Sequence, residues 1–250
     1  MSEPQGANPP VVLTIAGSDS GGAAGVAADL ATFAAHGVHG ACVITAVTAQ
    51  DTTGVRAVHP VPAEVVAAQL DAVLDDLPVA AVKTGMLGTA ETVRLVAERC
   101  AGRILVVDPV IRATSGAVLA DDAVVVAYRN HLLPLATVAT PNAEEDDVLG
   151  RGHGATVIRT GGGDPDLLCA PGERPVPIDH ALVDTRNDHG TGCTYSAALA
   201  ARLAHGADLT TAARAAAAYV TRQLAISQTW TLGRGRGPIA HTHPSTGGEA

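Results

Sequence analysis

The sequence predicts an α/β fold built around a mostly parallel sheet. Short β-branched apolar runs alternate with longer alanine-rich stretches, the pattern of strands and helices that take turns along a chain. The apolar runs are short and carry little charge, as strands buried on both faces of a parallel sheet do. The length of 250 residues fits one large domain with a sizeable core. We expect that domain to span residues 11–240, with flexible tails at residues 1–10 and 241–250.

Six segments are predicted strands, and they are residues 11–15, 41–47, 79–83, 104–107, 137–140 and 156–159. Helices are predicted where apolar residues recur every three or four positions, because such residues share one helix face. Val66, Leu70 and Val73 form one such face. Further helices are predicted at residues 93–100, 191–204 and 209–226. Neither a linker nor an internal repeat divides the chain.

Composition and charge exclude several classes of protein. A net charge of −9 and five aromatic residues do not suit nucleic-acid binding, which needs basic surfaces and stacking platforms. Residues 30–50 carry no charge, but residues 36–40 read HGVHG, so a helix end followed by a strand fits better than a membrane span. The polar start does not resemble a signal peptide, and the cysteines lack CxxC spacing. We therefore expect a cytoplasmic protein with reduced thiols and a small-molecule ligand, without nucleic-acid or membrane partners.

Polar residues and glycines follow the predicted strands. Crossovers between parallel strands place binding sites at the carboxyl ends of the strands, so these residues are the first candidates for a site. They are residues 17–22, Gln50 and Asp51, Gly85 and Met86, Asp108 and Pro109, Pro141 and Asn142, and residues 160–163. We expect them to converge on one edge of the sheet.

The segment DHGTGCT at residues 188–194 directly precedes a predicted helix. Glycines at a helix start let several backbone N–H groups point at one spot, where the helix dipole adds positive potential. This pattern predicts an anion hole. A thiol at a helix N-terminus has its pKa lowered, so Cys193 is a candidate proton acceptor for a substrate hydroxyl. The alternative is a glycine-rich turn with a packed cysteine.

Other candidates each have a structural alternative. The opening loop at residues 17–25 is neither a Walker A loop nor GxGxxG, so it is a ligand contact or a tight turn. Asp108 suits metal or phosphate binding, but Asp before Pro also starts turns. Asn142 and Glu145 have the spacing to hold hydrated Mg²⁺, or they belong to a solvated acidic helix start.

The remaining basic residues give weaker signals. Lys83 is the only lysine, and a lone lysine is expected to be a surface charge. The ten histidines show no HxxxH pair, so a structural zinc site is not expected. His241 and His243 fall in the expected C-terminal tail.

Taken together, these segments resemble the ribokinase-like superfamily, and within it the hydroxymethylpyrimidine and phosphomethylpyrimidine kinases of thiamin biosynthesis. The resemblance is collinear over most of the chain, and the ordered set of segments is specific although each one alone is weak. The segments are TIAGSDSGGAAGVAADLATF at 14–33, VITAVTAQDTTGV at 43–55, KTGML at 83–87, VVDPV at 106–110, SGAVL at 115–119, TPNAEE at 140–145, HGTGC at 189–193 and GRGPIAH at 235–241.

The resemblance implies a three-layer sandwich with helices on both faces of the sheet, and ATP-dependent phosphorylation of an aminopyrimidine hydroxymethyl group and then of the monophosphate. It implies a catalytic group in which Cys193 is the general base and Gly190, Thr191 and Gly192 form the anion hole. The implied pyrimidine contacts are Gly17, Asp19, Gln50, Met86 and Val110. The implied nucleotide contacts are Asp108, Asn142, Arg159, Thr160 and Gly161, with Asp108 and Glu145 holding Mg²⁺. Related kinases often form dimers, so a homodimer is among the expected assemblies.

Three features depart from the family pattern. Family members carry a further helix after the N-x-x-E segment, whereas here residues 146–155 are too few for a full helix and its two connections, so strands 137–140 and 156–159 are expected to pair differently or to be joined by an irregular loop. Arg159 stands where the family has a lysine before paired glycines, and Ile111 replaces a methionine. We therefore predict weaker ATP contacts than pyrimidine contacts. Pyridoxal kinase and a catalytically weak pyrimidine sensor remain as alternatives.

Overall fold

A central sheet of eight strands organises the computed structural model, which describes residues 8–113, 116–150, 153–161 and 165–242. The strands of the chain are β1 Val11–Ala16, β2 His39–Ile44, β3 Ala46–Asp51, β4 Gly54–Pro60, β5 Val79–Thr84, β6 Ile104–Val107, β7 Val138–Ala139, β8 Val157–Arg159, β9 Asp166–Cys169 and β10 Val176–Ile178. The order across the sheet is β10-β9-β8-β7-β6-β5-β1-β2. The strands from β2 to β8 in this order pair in parallel, and β9 and β10 add an antiparallel edge. The predicted mostly parallel sheet is confirmed.

Helices cover both faces of this sheet. They are α1 Gly25–Ala35, α2 Ala63–Asp76, α3 Ala90–Cys100, α4 Asp122–Ala127, α5 Ala143–Leu149, α6 Thr191–Ala204 and α7 Leu209–Ser227. Alternate residues of β1 enter different cores, as the two-residue period of a strand requires. Leu13 and Ile15 pack with α2, α3 and α4, whereas Val12 packs with α1, α6 and α7. Each core therefore lies between the sheet and one helical layer, which is the expected three-layer sandwich.

Alanine-rich sequence lets α6 run close to its neighbours. Every residue of this helix from Thr194 to Ala201 is buried, and α7 presents Ala212, Ala213 and Ala216 to the same core. The small side chains allow a long helix to be enclosed by the sheet, α1 and α7. The buried position of α6 fixes where its N-terminus lies. Among the described residues, no helix combines the length and apolar character that a membrane span needs.

The strand predicted at residues 41–47 is confirmed as far as Ile44 but its end is wrong, because the chain leaves the main sheet at Thr45. The N–H of Thr45 donates to Ala16 O at 3.0 Å, and its hydroxyl donates to Met86 O at 2.6 Å. After this break, β3 pairs with β4 as a separate antiparallel hairpin. The apolar run through residues 41–47 contains no glycine or proline to mark the break. As a result, Gln50 is carried on a hairpin rather than at the end of a sheet strand.

The crossover between β7 and β8 also differs from expectation. These strands pair in parallel, with Ala139 opposite Val157, so the expected alternative pairing is wrong. A seven-residue helix, α5, lies in the connection. It begins at Ala143, before residues 146–155, which were expected to be too few for a helix and its connections. Asn142 caps this helix and Glu145 returns the bond to the Asn142 N–H, a capping box. The N-x-x-E spacing therefore marks a helix start, which was the structural alternative to a Mg²⁺ site.

Candidate active site

One cavity of about 500 Å³ opens at the carboxyl ends of the parallel strands. This is where an open α/β sheet binds its ligands. Fourteen of the fifteen predicted site residues line it, namely Gly17, Asp19, Gln50, Met86, Asp108, Val110, Asn142, Glu145, Thr160, Gly161, Gly190, Thr191, Gly192 and Cys193. Arg159 does not. The convergence expected from the residues after each strand is therefore present.

Two glycine loops meet at the centre of the cavity. Gly190 has a φ of 93°, and a Cβ there would lie 1.8 Å from Ala23 O. Only glycine fits both the left-handed backbone and this close approach. At Gly190 the loop before α6 therefore packs directly against the backbone of the loop after β1. Gly17 packs against the end of the Met86 side chain, since a Cβ on it would lie 2.4 Å from Met86 Cε.

The N-terminus of α6 faces the cavity between these loops. Gly190 is the N-cap residue, and a Cβ on the exposed Gly192 would meet nothing within 4 Å. The first N–H groups of a helix have no partners within the helix and lie at the positive end of its dipole. This fourteen-residue helix thus offers open backbone donors to an anion. The geometry suits the anion hole predicted for residues 190–192.

Cys193 lies in this first turn, but the prediction that its thiol pKa is lowered is wrong. Burial raises the pKa of the thiol to about 12, although the charge of Lys83 opposes the rise. Asp108 and Asp29 add to the rise. The nearby carboxylates and the loss of solvent outweigh the helix N-terminus. The thiol is therefore protonated at neutral pH in the ligand-free site.

Lys83 is not the surface charge that its isolation predicted. Its side chain is fully buried, with Nζ 2.9 Å from each carboxylate oxygen of Asp29 and 3.9 Å from Asp108 Oδ2. Burial alone would lower the pKa of Lys83, but the charges of Asp29, Cys193 and Asp108 raise it. A buried cation needs such partners to remain charged. Lys83 therefore remains charged, is paired with Asp29, and acts electrostatically on Cys193 at the start of α6.

Asp108 and Glu145 form an acidic region on the cavity wall. Ser196 Oγ donates to Asp108 Oδ2 at 3.1 Å, and the Ile111 N–H donates to Glu145 Oε1 at 3.2 Å. Burial raises the pKa of Asp108, while burial and then the charge of Asp108 raise the pKa of Glu145 to about 7. Two buried carboxyl groups, one of which raises the pKa of the other, suit a divalent cation, which would neutralise both. Magnesium takes few protein carboxylates and keeps waters or phosphates as its other ligands. Accordingly, the described residues contain no cluster of three or more side chains that could hold a metal alone.

The end of the cavity where the resemblance places the pyrimidine, here called the pyrimidine end, contains Asp19, Gln50 and His189. Asp19 accepts hydrogen bonds from the N–H groups of Gly21, Ala23 and Ala24. His189 Nε2 lies 3.2 Å from Asp19 Oδ2 and 3.0 Å from Gln50 Nε2. Asp19 and His189 are both buried, whereas Gln50 is half-buried and borders open space.

The end where the resemblance places the nucleotide, here called the nucleotide end, is more exposed. Asn142 and Gly161 are exposed, and the Thr160 N–H donates to Pro141 O at 3.0 Å. Arg159 turns away from the cavity: its guanidinium lies 3.7 Å from Asp146 and 3.6 Å from Asp147 on α5. The predicted glycines 162 and 163, and Ser115 of the SGAVL segment, lie outside the described residues.

Several lining residues were not singled out from the sequence. Asp166 on the edge strand β9, His180 and Thr185 after β10, and Thr221 and Leu224 on α7 all border the cavity. None of them lies within a glycine-rich segment or directly after a predicted strand, so they were not among the candidates. His241 was placed in a tail, but its Nε2 lies 3.0 Å from Thr194 Oγ1 on α6. For His189 a signal existed, since it directly precedes Gly190.

A three-layer α/β sandwich with an anion hole, a neighbouring acid pair and a ligand cavity at the strand ends defines a small-molecule kinase of the ribokinase-like fold. The family model described as phosphomethylpyrimidine kinase matches residues 19–160 and 150–240. The chain belongs to this family, and the kinase class predicted from the sequence is confirmed.

Individual proteins agree with this assignment. A hydroxymethylpyrimidine/phosphomethylpyrimidine kinase of Rhizobium meliloti is 45% identical over 93% of this chain and 97% of its own length. The solved phosphomethylpyrimidine kinase of Clostridium difficile is 34% identical, covers 85% of this chain and 98% of its own, and has a TM-score of 0.74. A Bacillus subtilis pyridoxal kinase, solved as an ADP complex, is 34% identical over 94% of this chain and 98% of its own, with a TM-score of 0.83.

Proposed function

We propose that the protein phosphorylates 4-amino-5-hydroxymethyl-2-methylpyrimidine and then its monophosphate, with ATP as the phosphate donor, to give the pyrophosphate used in thiamine biosynthesis. The observation that carries this proposal is the position of the α6 N-terminus. It opens into the cavity together with Gln50 on one side and the acid pair, Asp108 and Glu145, on the other. A pyrimidine at Gln50 and a triphosphate near the acids would both reach the same backbone donors. Relatives with 42–45% identity over 92–94% of this chain carry the same function in their names.

Phosphoryl transfer depends mainly on position and charge, and this chain supplies both. The backbone N–H groups at residues 190–192 stabilise negative charge on the transferred group. Asp108 and Glu145 would hold Mg²⁺, which when bound neutralises phosphate charge. Gln50 and Met86 orient the pyrimidine so that its hydroxymethyl group faces α6.

Cys193 is the side chain proposed to take the proton of the substrate hydroxyl. Because burial raises the pKa of the thiol to about 12, the ligand-free site holds the protonated form. Base action by Cys193 therefore requires that bound ligands lower this pKa. The charge of Lys83 already acts in that direction.

Phosphorylation of pyridoxal is a second candidate activity. The likeness to the Bacillus subtilis pyridoxal kinase favours it, since that TM-score, 0.83, exceeds the 0.74 found with the phosphomethylpyrimidine kinase. The sequence relatives favour the aminopyrimidine. A pyridine ring and an aminopyrimidine of the same size would compete for the pocket at Gln50.

An ATP-dependent phosphorylation assay on hydroxymethylpyrimidine, its monophosphate and pyridoxal, run in parallel, tests these alternatives. We expect both pyrimidines to be phosphorylated faster than pyridoxal. Faster phosphorylation of pyridoxal would support the second candidate. Pyrimidine binding without any phosphate transfer would overturn the kinase proposal and favour the sensor.

A further inference from the structure

Asp19, His189 and Gln50 form a hydrogen-bonded row, and the partners of each atom determine where the protons lie. Asp19 is a carboxylate: although burial opposes it, the hydrogen bonds from His189 and the Gly21 N–H hold its pKa below the usual value. A carboxylate can only accept hydrogen bonds. The ring nitrogen 3.2 Å from it, His189 Nε2, must therefore carry a proton. This holds for the neutral ring and for the imidazolium alike.

The proton on His189 restricts the neighbouring carboxamide. Gln50 Nε2 lies 3.0 Å from His189 Nε2, which sets two donors against each other. Half a turn of the carboxamide puts Oε1 at that place, where it shares the single N–H of His189 Nε2 with Asp19 Oδ2 as a second acceptor. The amide group would then point away from His189. An amide nitrogen and oxygen have nearly the same shape, so the hydrogen-bond partners decide which faces which.

The backbone around Gln50 leaves little other freedom. The Gln50 N–H donates to Ser20 Oγ at 2.8 Å, and Ser20 Oγ donates to Gln50 O at 2.7 Å. Asp19 is fixed by three backbone N–H groups of its own loop. The orientation of the Gln50 carboxamide is thus the main conformational variable left in this row, and we infer that His189 determines it.

We propose that His189, held by Asp19, is a positioning residue that turns the NH₂ group of Gln50 toward the ligand and so selects a ring nitrogen that accepts a hydrogen bond. The inference rests on the proposed function and specifies how that site reads its substrate. A 4-aminopyrimidine has a bare ring nitrogen next to its amino group. The corresponding 4-oxo compound carries an N–H there, which would face the NH₂ of Gln50 donor to donor. The site should therefore reject the oxo compound.

The first test compares the affinities of the amino and oxo compounds by calorimetry for wild type, Gln50→Ala and Gln50→Glu. The alanine variant gives the preference of the rest of the pocket. Wild type should favour the amino compound by about 10-fold or more beyond that baseline, the usual effect of one unpaired buried donor. Glutamate presents only acceptors, so Gln50→Glu should lose this added preference or reverse it. Equal preference in wild type and Gln50→Ala, or a preference kept in Gln50→Glu, would overturn the proposal.

The second test separates positioning from a structural role of His189. In His189→Phe the carboxamide can turn to suit either ligand, so the added preference should fall to within about 2-fold of the Gln50→Ala baseline. His241→Phe is the matched control, because His241 contacts Thr194 on α6 but lies outside the cavity lining, and it should leave the preference unchanged. A His189→Phe protein that binds the amino compound and keeps the wild-type preference would contradict the role of His189. If that variant does not fold, the result with Gln50→Glu still decides.

Failure of the two proposals can be told apart. Wild type that binds neither compound would overturn the proposed function and this inference with it. Wild type that binds and phosphorylates the amino compound, but shows no preference tied to Gln50, would overturn the inference alone.

Discussion

The pyrimidine end and the nucleotide end of the cavity are built differently. At the pyrimidine end, buried side chains are bonded to one another across distant parts of the chain: Asp19 follows β1 and His189 precedes α6. At the nucleotide end, Asn142 and Gly161 are exposed, and Asn142 is engaged in capping α5. One end is thus arranged before any ligand arrives. The other presents exposed residues beside the buried acid pair, Asp108 and Glu145.

The difference indicates where specificity and where catalysis are set. Side chains fixed by buried bonds can distinguish closely similar rings, because a mismatched polar group there stays unpaired. An end with exposed residues beside two buried acids suits a ligand that brings its own phosphate charges and metal. The α6 N-terminus lies between the two ends and serves both. Substitutions there should have the largest effects.

Cys193→Ala should lower turnover by roughly 10²–10⁴, the range for loss of a general base, and leave pyrimidine affinity nearly unchanged. Steady-state kinetics and calorimetry measure the two quantities. Cys169→Ala is the matched control, because Cys169 is a half-buried cysteine on β9 outside the cavity lining and should leave turnover unchanged. Near-normal turnover in Cys193→Ala would remove this thiol as the base.

The same thiol should make stability depend on alkaline pH. Burial raises the pKa of Cys193 from 9.0 to about 12, so the folded protein holds this proton more tightly than the unfolded chain. The stabilisation is complete below about pH 9 and is lost as the pH rises toward 12. Between about pH 8 and pH 11, the free energy of unfolding of Cys193→Ala should fall less than that of wild type, by on the order of 2 kcal/mol. Urea denaturation measures it, and equal falls in both proteins would contradict the raised pKa.

The acid pair should set the magnesium requirement. Asp108→Asn or Glu145→Gln should raise the Mg²⁺ concentration for half-maximal activity by about 10-fold, since each removes one of the few carboxylates available. Glu144→Gln is the control: Glu144 is the exposed neighbour, paired with Arg112 at 3.0 Å, and lies outside the cavity lining. Unchanged titrations in both acid variants would refute the assignment.

How far the sequence predicted this molecule depends on the kind of signal. The six parallel strands of the main sheet and α6 followed from the apolar period, and α6 has the predicted bounds, but the antiparallel edge strands β9 and β10 were not predicted. The end of β2 at Ile44 did not follow either, because the Thr45 hydroxyl there bonds to Met86 O, which is distant in sequence. Tertiary contacts of this kind leave no local pattern.

In the site, too, features with a local sequence signal were predicted and features made by tertiary contacts were not. Glycine segments and residues after strands predicted the cavity, since topology alone brings strand ends together. The burial of Lys83 could not be predicted, because it depends on Asp29 of α1 lying against β5. The predicted direction of the Cys193 pKa shift was wrong for the same reason: a helix N-terminus is visible in sequence, whereas desolvation and neighbouring carboxylates are not.

Arg159 gives the smallest expected effect and the sharpest test of the contrast between the two ends. The family resemblance assigned it to the nucleotide, but its half-exposed guanidinium lies between Asp146 and Asp147. Exposed ion pairs contribute little, about 0–1 kcal/mol. Arg159→Ala should therefore change the Kd for ATP by less than about 2-fold, as titration calorimetry would measure, and should not alter pyrimidine affinity. A 10-fold loss of ATP affinity would show that Arg159 leaves α5 for the phosphates when nucleotide binds, so that the nucleotide end acquires a side-chain contact it lacks before the ligand arrives.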